Sequence, residues 1–126
     1  MDALSRLNGL RVLVLEDEAL LAMLLEDVLA EFGCTPVGPF ARCKEAIAFL
    51  GSNPQGCDIG ILDVNVSGQR SDVVAIEFDR LGLPFVFSTG YDDSALDERW
   101  RGKPALTKPF RSADLQRVLL EMLPSQ

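Results

Sequence analysis

"VLVLEDEALL", residues 12–21, is the stretch from which the rest of the chain can be read. Four consecutive aliphatic residues suit a strand covered on both faces, since a half-exposed strand would alternate apolar with polar positions. The run ends abruptly in Glu16, Asp17 and Glu18, and apolar residues then recur at helical spacing (Leu21, Leu24, Leu25, Val28, Phe32) until Gly33 stops the pattern. A buried strand feeding an amphipathic helix is the opening of a strand–helix–strand unit, the building block of parallel sheets. Three carboxylates at the junction resist ionising together, so they require open water, a cation or a backbone course that separates them.

The same alternation continues along the chain. "CDIGIL" (57–62) and "LPFVFST" (83–89) are further apolar strands, and "PALT" (104–107) is a weaker one. "CTPVGP" (34–39) is a poor strand whose Pro36 fits only a sheet edge. Helices are predicted over 18–32, 41–50, 71–81 and 112–123. Ser71 or Asp72 opens the third and Gly82 closes it; in the last, Ser112 caps and Leu115, Val118, Leu119 and Met122 form the buried stripe. Between Gly90 and Lys103 the pattern thins to a capping box at Ser94 and Asp97 and one apolar pair, Leu96 and Trp100, so this fourth helix is expected to be short or mobile. The expected fold is α/β, a doubly wound five-stranded parallel sheet flanked by helices, in a single domain spanning 1–126.

Bulk properties narrow the function. A chain of 126 residues, 48% hydrophobic and 25% charged, is an ordinary globular composition. A net charge of -7 argues against a nucleic-acid surface and suits divalent cations. The longest apolar run, "ALLAMLL" (19–25), falls far short of the ~20 residues that span a bilayer, and "MDALSRLNGL" is no export signal. Cys34, Cys43 and Cys57, odd in number and without histidine anywhere in the chain, read as free thiols in a reducing cytoplasm.

Ligands of doubly wound sheets sit beyond the carboxyl ends of the strands. Here those ends carry Glu16-Asp17, Asp63, Thr89-Gly90 and Lys108-Pro109. Singly, each has a bland explanation as a helix cap, a turn residue or a solvated end. Together, three carboxylates, a hydroxyl and an ammonium form the set used in Mg²⁺-assisted phosphoryl transfer. Mg²⁺ takes one or two carboxylates besides water and phosphate oxygens, and a carboxylate can itself accept the phosphoryl group.

"LEDE", "ILDVNVSG", "FSTGY" and "LTKPF", in this order over nearly the whole chain, resemble the receiver domain of bacterial two-component response regulators. "PFVFSTGY" is also similar to a receiver lineage with a Phe-Ala-Thr-Gly signature, often stand-alone and paired with HWE-type histidine kinases, although Ser88 stands where alanine is usual. The resemblance implies a flavodoxin-like strand order 2-1-3-4-5 and Asp63 as phosphoacceptor. Mg²⁺ would be held by Glu16, Asp17, Asp63 and the Asn65 backbone carbonyl, with Thr89 and Lys108 on the phosphoryl oxygens and a cis Lys108-Pro109 bond. It implies a signalling switch rather than a conventional enzyme, with a histidine kinase or phosphotransfer protein upstream and another protein downstream.

Two positions depart from the family pattern. Ser67 replaces a common proline, predicting a less rigid turn after the phosphoacceptor. Ala105 replaces the aromatic that rotates on activation, leaving a gap for Tyr91, Leu96 or Trp100; Tyr91 and Ala105 mark the expected relay. Two rival readings are a pseudo-receiver that binds partners without phosphorylation and a haloacid dehalogenase-type phosphatase. The latter family carries a second acid where this chain has Asn65.

Overall fold

The computed structural model describes residues 3–90, 98–100 and 102–123. Its main sheet contains β1 (Arg11–Leu15), β2 (Thr35–Phe40), β3 (Ile59–Asp63), β6 (Phe85–Thr89) and β7 (Ala105–Thr107). These strands are parallel throughout and lie in the order β2-β1-β3-β6-β7, which is 2-1-3-4-5 when only the strands of this sheet are counted. β2 is an edge strand, which explains how Pro36 is tolerated.

Helices α2 (Ala19–Glu31), α3 (Cys43–Ser52), α4 (Asp72–Leu81) and α5 (Ser112–Met122) cover the sheet. Alternate strand residues serve opposite faces. Leu13, Leu15, Leu62, Phe85 and Phe87 pack with Ala46 and Leu50 of α3 and with Val74, Ala75 and Phe78 of α4. Val12, Val14, Ile59, Ile61 and Val86 pack with Leu25 and Leu29 of α2 and with Leu115, Val118 and Leu119 of α5. Each fully buried large side chain contributes roughly 1.5–3 kcal/mol, so these two layers supply the main driving force for folding. Gly60 permits one close approach, because a Cβ there would lie 2.6 Å from the Phe78 ring.

Several local expectations change. The buried stripe of α2 is Ala22, Leu25 and Leu29 followed by Phe32, while Leu24 is 51% exposed. The α2 sequence is apolar nearly all round, so periodicity alone left the rotation of its buried face underdetermined. Ser112 is the first residue of α5 rather than its cap, and Asp114 accepts the Arg111 N–H at 3.0 Å. A short helix α1 (Ala3–Leu7) precedes the sheet and buries Leu7 completely. A two-stranded hairpin, β4 (Asn65–Val66) with β5 (Gln69–Arg70), follows β3.

Of the predicted fourth helix, a single 3-10 turn at Glu98–Trp100 is seen; Tyr91, Ser94, Leu96 and Asp97 lie outside the described residues. Trp100 is 1% exposed and packs edge-on against Phe85 and Phe87, while Ala105 on the edge strand β7 is exposed. Cys34, Cys43 and Cys57 are buried free thiols, and burial pushes Cys34 and Cys57 up to about 11. No helix among the described residues is long and apolar enough to cross a membrane.

Candidate functional site

Parallel strands present all their carboxyl ends at one rim, and the register fixes which side chains meet there. Asp63 ends β3 opposite Ser88 of β6, so Thr89 extends one residue further along the neighbouring strand. Glu16 and Asp17 follow β1 on the other side of β3. Oxygens of Glu16, Asp17 and Asp63 lie within 4.8 Å of one another. Glu16 and Asp63 are buried, Asp17 is exposed and Thr89 is 9% exposed.

Lys108 enters this group from the end of β7. Its Nζ lies 3.2 Å from Asp63 Oδ2 and 3.1 Å from Glu16 Oε1. The Lys108 N–H donates to the Thr89 carbonyl at 2.7 Å, joining the strand ends that carry the hydroxyl and the ammonium. The Lys108-Pro109 bond is cis, and so is Gly38-Pro39. The second oxygen of Glu16 accepts the Glu18 N–H at 3.0 Å, and Glu18 is the N-cap of α2. The first acid of the rim is thus committed to the lysine and to the start of a helix.

The charge balance follows from this packing. Burial, then the Glu16 charge and more weakly that of Asp17, push Asp63 up to about 7, although Lys108 pulls the other way. For Lys108 burial alone would lower the pKa, but Asp63 and Glu16 outweigh it and leave it raised. One ammonium against three carboxylates leaves net negative charge at the rim. Hard oxygen donors in a negative, partly solvated cluster match the preference of Mg²⁺, so the donor set fits that ion.

The structure therefore brings together Glu16, Asp17, Asp63, Thr89 and Lys108. Asn65 opens β4 two residues past Asp63; Ala105 lies on β7, in register with Phe87. Two features escaped the sequence reading. Asp17 Oδ2 accepts the Ser67 N–H at 2.9 Å, and Asp72 links Arg70 Nε to the Trp100 indole N–H, both at 3.0 Å. The first replaces the expected looseness of the turn after Asp63: Ser67 and Gly68, at φ 50° and 79°, close a tight hairpin.

A doubly wound parallel sheet with an acidic cluster and a lysine at its carboxyl rim defines the class as a flavodoxin-like α/β domain, and comparison with solved structures narrows it. SdrG from Sphingomonas melonis Fr1 is 38% identical over 98% of this chain and all of its own length, with a TM-score of 0.81. SdrG in its BeF3-activated conformation, from Pseudomonas melonis Fr1, is 39% identical over 87% of this chain and 95% of its own, with a TM-score of 0.72. The response regulator receiver domain of PhyR from Erythrobacter litoralis has the same fold, with a TM-score of 0.78 at 23% identity over 96% of this chain and 98% of its own. No protein-family model and no curated protein matches the sequence. The chain belongs to the response regulator receiver family, the signalling domains of two-component systems.

Proposed function

We propose that the chain is a phosphorylation-operated switch in which Asp63 accepts a phosphoryl group from a histidine kinase or phosphotransfer protein. The observation that carries this reading is the Asp63 carboxylate 3.2 Å from Lys108 Nζ, inside the acidic cluster and beside Thr89. An Asp63 oxygen attacks phosphorus. The new O–P bond forms as the donor's N–P bond breaks, and the imidazole nitrogen keeps the electron pair. Lys108, already at the Asp63 oxygen, lies where charge grows on the transferred group, and the Thr89 hydroxyl is one residue beyond. Mg²⁺ held by Asp17, Asp63 and the Asn65 carbonyl, with Glu16 reaching it through water, would offset the carboxylates and the phosphoryl oxygens.

The raised pKa of Asp63 supports a cation in this role, because a half-protonated carboxyl is a poor nucleophile and added positive charge favours its ionised form. A groove of about 520 Å³ adjoins Lys108, with Leu21, Leu24, Leu25 and Val28 on one wall and Phe110 and Leu115 on the other. Its apolar walls suit a donor protein's docking contact. The readout passes through the turn that carries Trp100, since Ala105 offers no ring to follow Thr89. The BeF3-activated SdrG structure makes beryllofluoride a suitable phosphoryl mimic for comparing the two states of this chain.

Intact mass after incubation with acetyl phosphate and Mg²⁺ tests the assignment. One added phosphoryl group is expected on the wild type and none on Asp63→Asn or in the presence of a chelator. Modification of the variant would move the acceptor elsewhere. A wild type that stays unmodified, even with kinase, is a pseudo-receiver, and continuous turnover of the phosphodonor would mark a phosphatase.

A further inference from the structure

Ser67 is the only non-glycine residue with positive φ among the described residues, at 50°. L-residues other than asparagine or aspartate rarely adopt this conformation, so its neighbours must stabilise it. They do so at both of its polar groups. The Ser67 amide donates to Asp17 Oδ2 at 2.9 Å, across 50 residues of sequence. The Ser67 hydroxyl donates to the Ala41 carbonyl at 2.9 Å, one residue past the end of β2. Behind the turn, Val66 is 1% exposed and anchors the hairpin in the core.

Asp17 is the exposed member of the acidic cluster, and an exposed carboxylate ordinarily samples several rotamers. The amide fixes one of its oxygens while the carboxylate still reaches within 4.8 Å of Glu16 and Asp63. A hydrogen bond that orients a ligand before the ion arrives is the usual way a protein raises the affinity of a metal site. A proline at position 67 would have no N–H to donate and could not take φ 50°. We propose that Ser67 is a positioning residue for the divalent cation: its backbone amide presets Asp17, so the β4–β5 hairpin holds this ligand in place before the cation binds. This inference rests on the cation-assisted reading of the site.

The test is Mg²⁺ affinity by calorimetry, with the Ser67 amide NMR resonance followed in the same titration. Ser67→Pro is expected to weaken Mg²⁺ about tenfold or more, the usual effect of losing an orienting partner. Ser67→Gly keeps the amide and suits the positive φ, so it binds as the wild type does, and Ser67→Ala, which loses only the bond to Ala41, stays close to it. In the wild type the Ser67 resonance shifts with the same midpoint as the heat signal, and Asp17→Asn abolishes that correspondence. Urea unfolding of each variant separates a folding defect from a binding defect. Equal affinity of Ser67→Pro and wild type overturns the proposal, as does a Ser67→Gly protein as weak as the proline variant. A wild type that binds no Mg²⁺ overturns the cation-assisted function as well.

Discussion

Replacing Asp63 by asparagine exchanges an oxygen for an amide and deletes a charge held against burial and against Glu16. In the folded protein Asp63 is pushed from its ordinary 3.8 up to about 7, so the folded state holds this proton more tightly than the unfolded chain does. The sign follows: where the native state binds more protons, stability falls as pH rises. The contribution is fully present below the unfolded pKa and is lost as the pH passes through about 7. A rise of roughly three pH units, at about 1.4 kcal/mol each, is worth about 4 kcal/mol at most, of which about 3 kcal/mol falls between about pH 5 and about pH 8.

Asp63→Asn deletes that dependence, while Lys108 retains Glu16 as a partner 3.1 Å away. Urea unfolding in chelator at the two pH values is the assay. The variant is expected to be the more stable protein at the higher pH and to change little between the two, whereas the wild type weakens. Saturating Mg²⁺ should flatten the wild-type curve in the same way, because a cation among the carboxylates removes the repulsion. Parallel pH curves for the two proteins in chelator, or an asparagine variant less stable at about pH 8, would refute the claim that a buried charge at position 63 is held at a cost.

Two further substitutions test the packing around the site. Trp100→Phe should lower stability to urea by about 2 kcal/mol, through a smaller ring and a lost hydrogen bond to the Asp72 carboxylate; an unchanged midpoint would show that the indole bond contributes nothing. Gly60→Ala should cost about 1–3 kcal/mol because its Cβ would meet the Phe78 ring at 2.6 Å, whereas Gly51→Ala in α3, with nothing within 4 Å, should be neutral or stabilising in the same thermal melts.

The legible parts of the molecule are those where one residue type answers to one physical demand. Uninterrupted aliphatic strands announced a sheet covered on both faces, and Pro36 placed β2 at an edge. The strand-end acids, Thr89 and Lys108 were visible because parallel topology sends every such residue to the same rim. Features made by distant main-chain groups were hidden. Nothing in "NVSGQR" shows that the Ser67 amide will find Asp17, and nothing in "MDALSRLNGL" shows that Leu7 will be fully buried. The rotation of α2 was likewise ambiguous, because a helix with leucines on most sides turns whichever face its neighbours leave room for, leaving Leu20, Met23 and Leu24 outward.

Ala105 and Trp100 are best understood together. An aromatic at position 105 would share the sheet face of Phe87, its register partner. In this chain that layer receives its ring from Trp100, which lies 5.5 Å from Phe85 and 5.9 Å from Phe87 between ring centres. A ring on β7 could rotate with little movement of backbone. Trp100 cannot do so without cost, because its N–H is bonded to Asp72, and Asp72 is also held by Arg70 of the hairpin that follows Asp63. The two segments that leave the rim, one after Asp63 and one after Thr89, therefore meet again at a single carboxylate. Moving the 98–100 turn away from the sheet would therefore break the Trp100–Asp72 bond or pull on the carboxylate that Arg70 of the hairpin also holds.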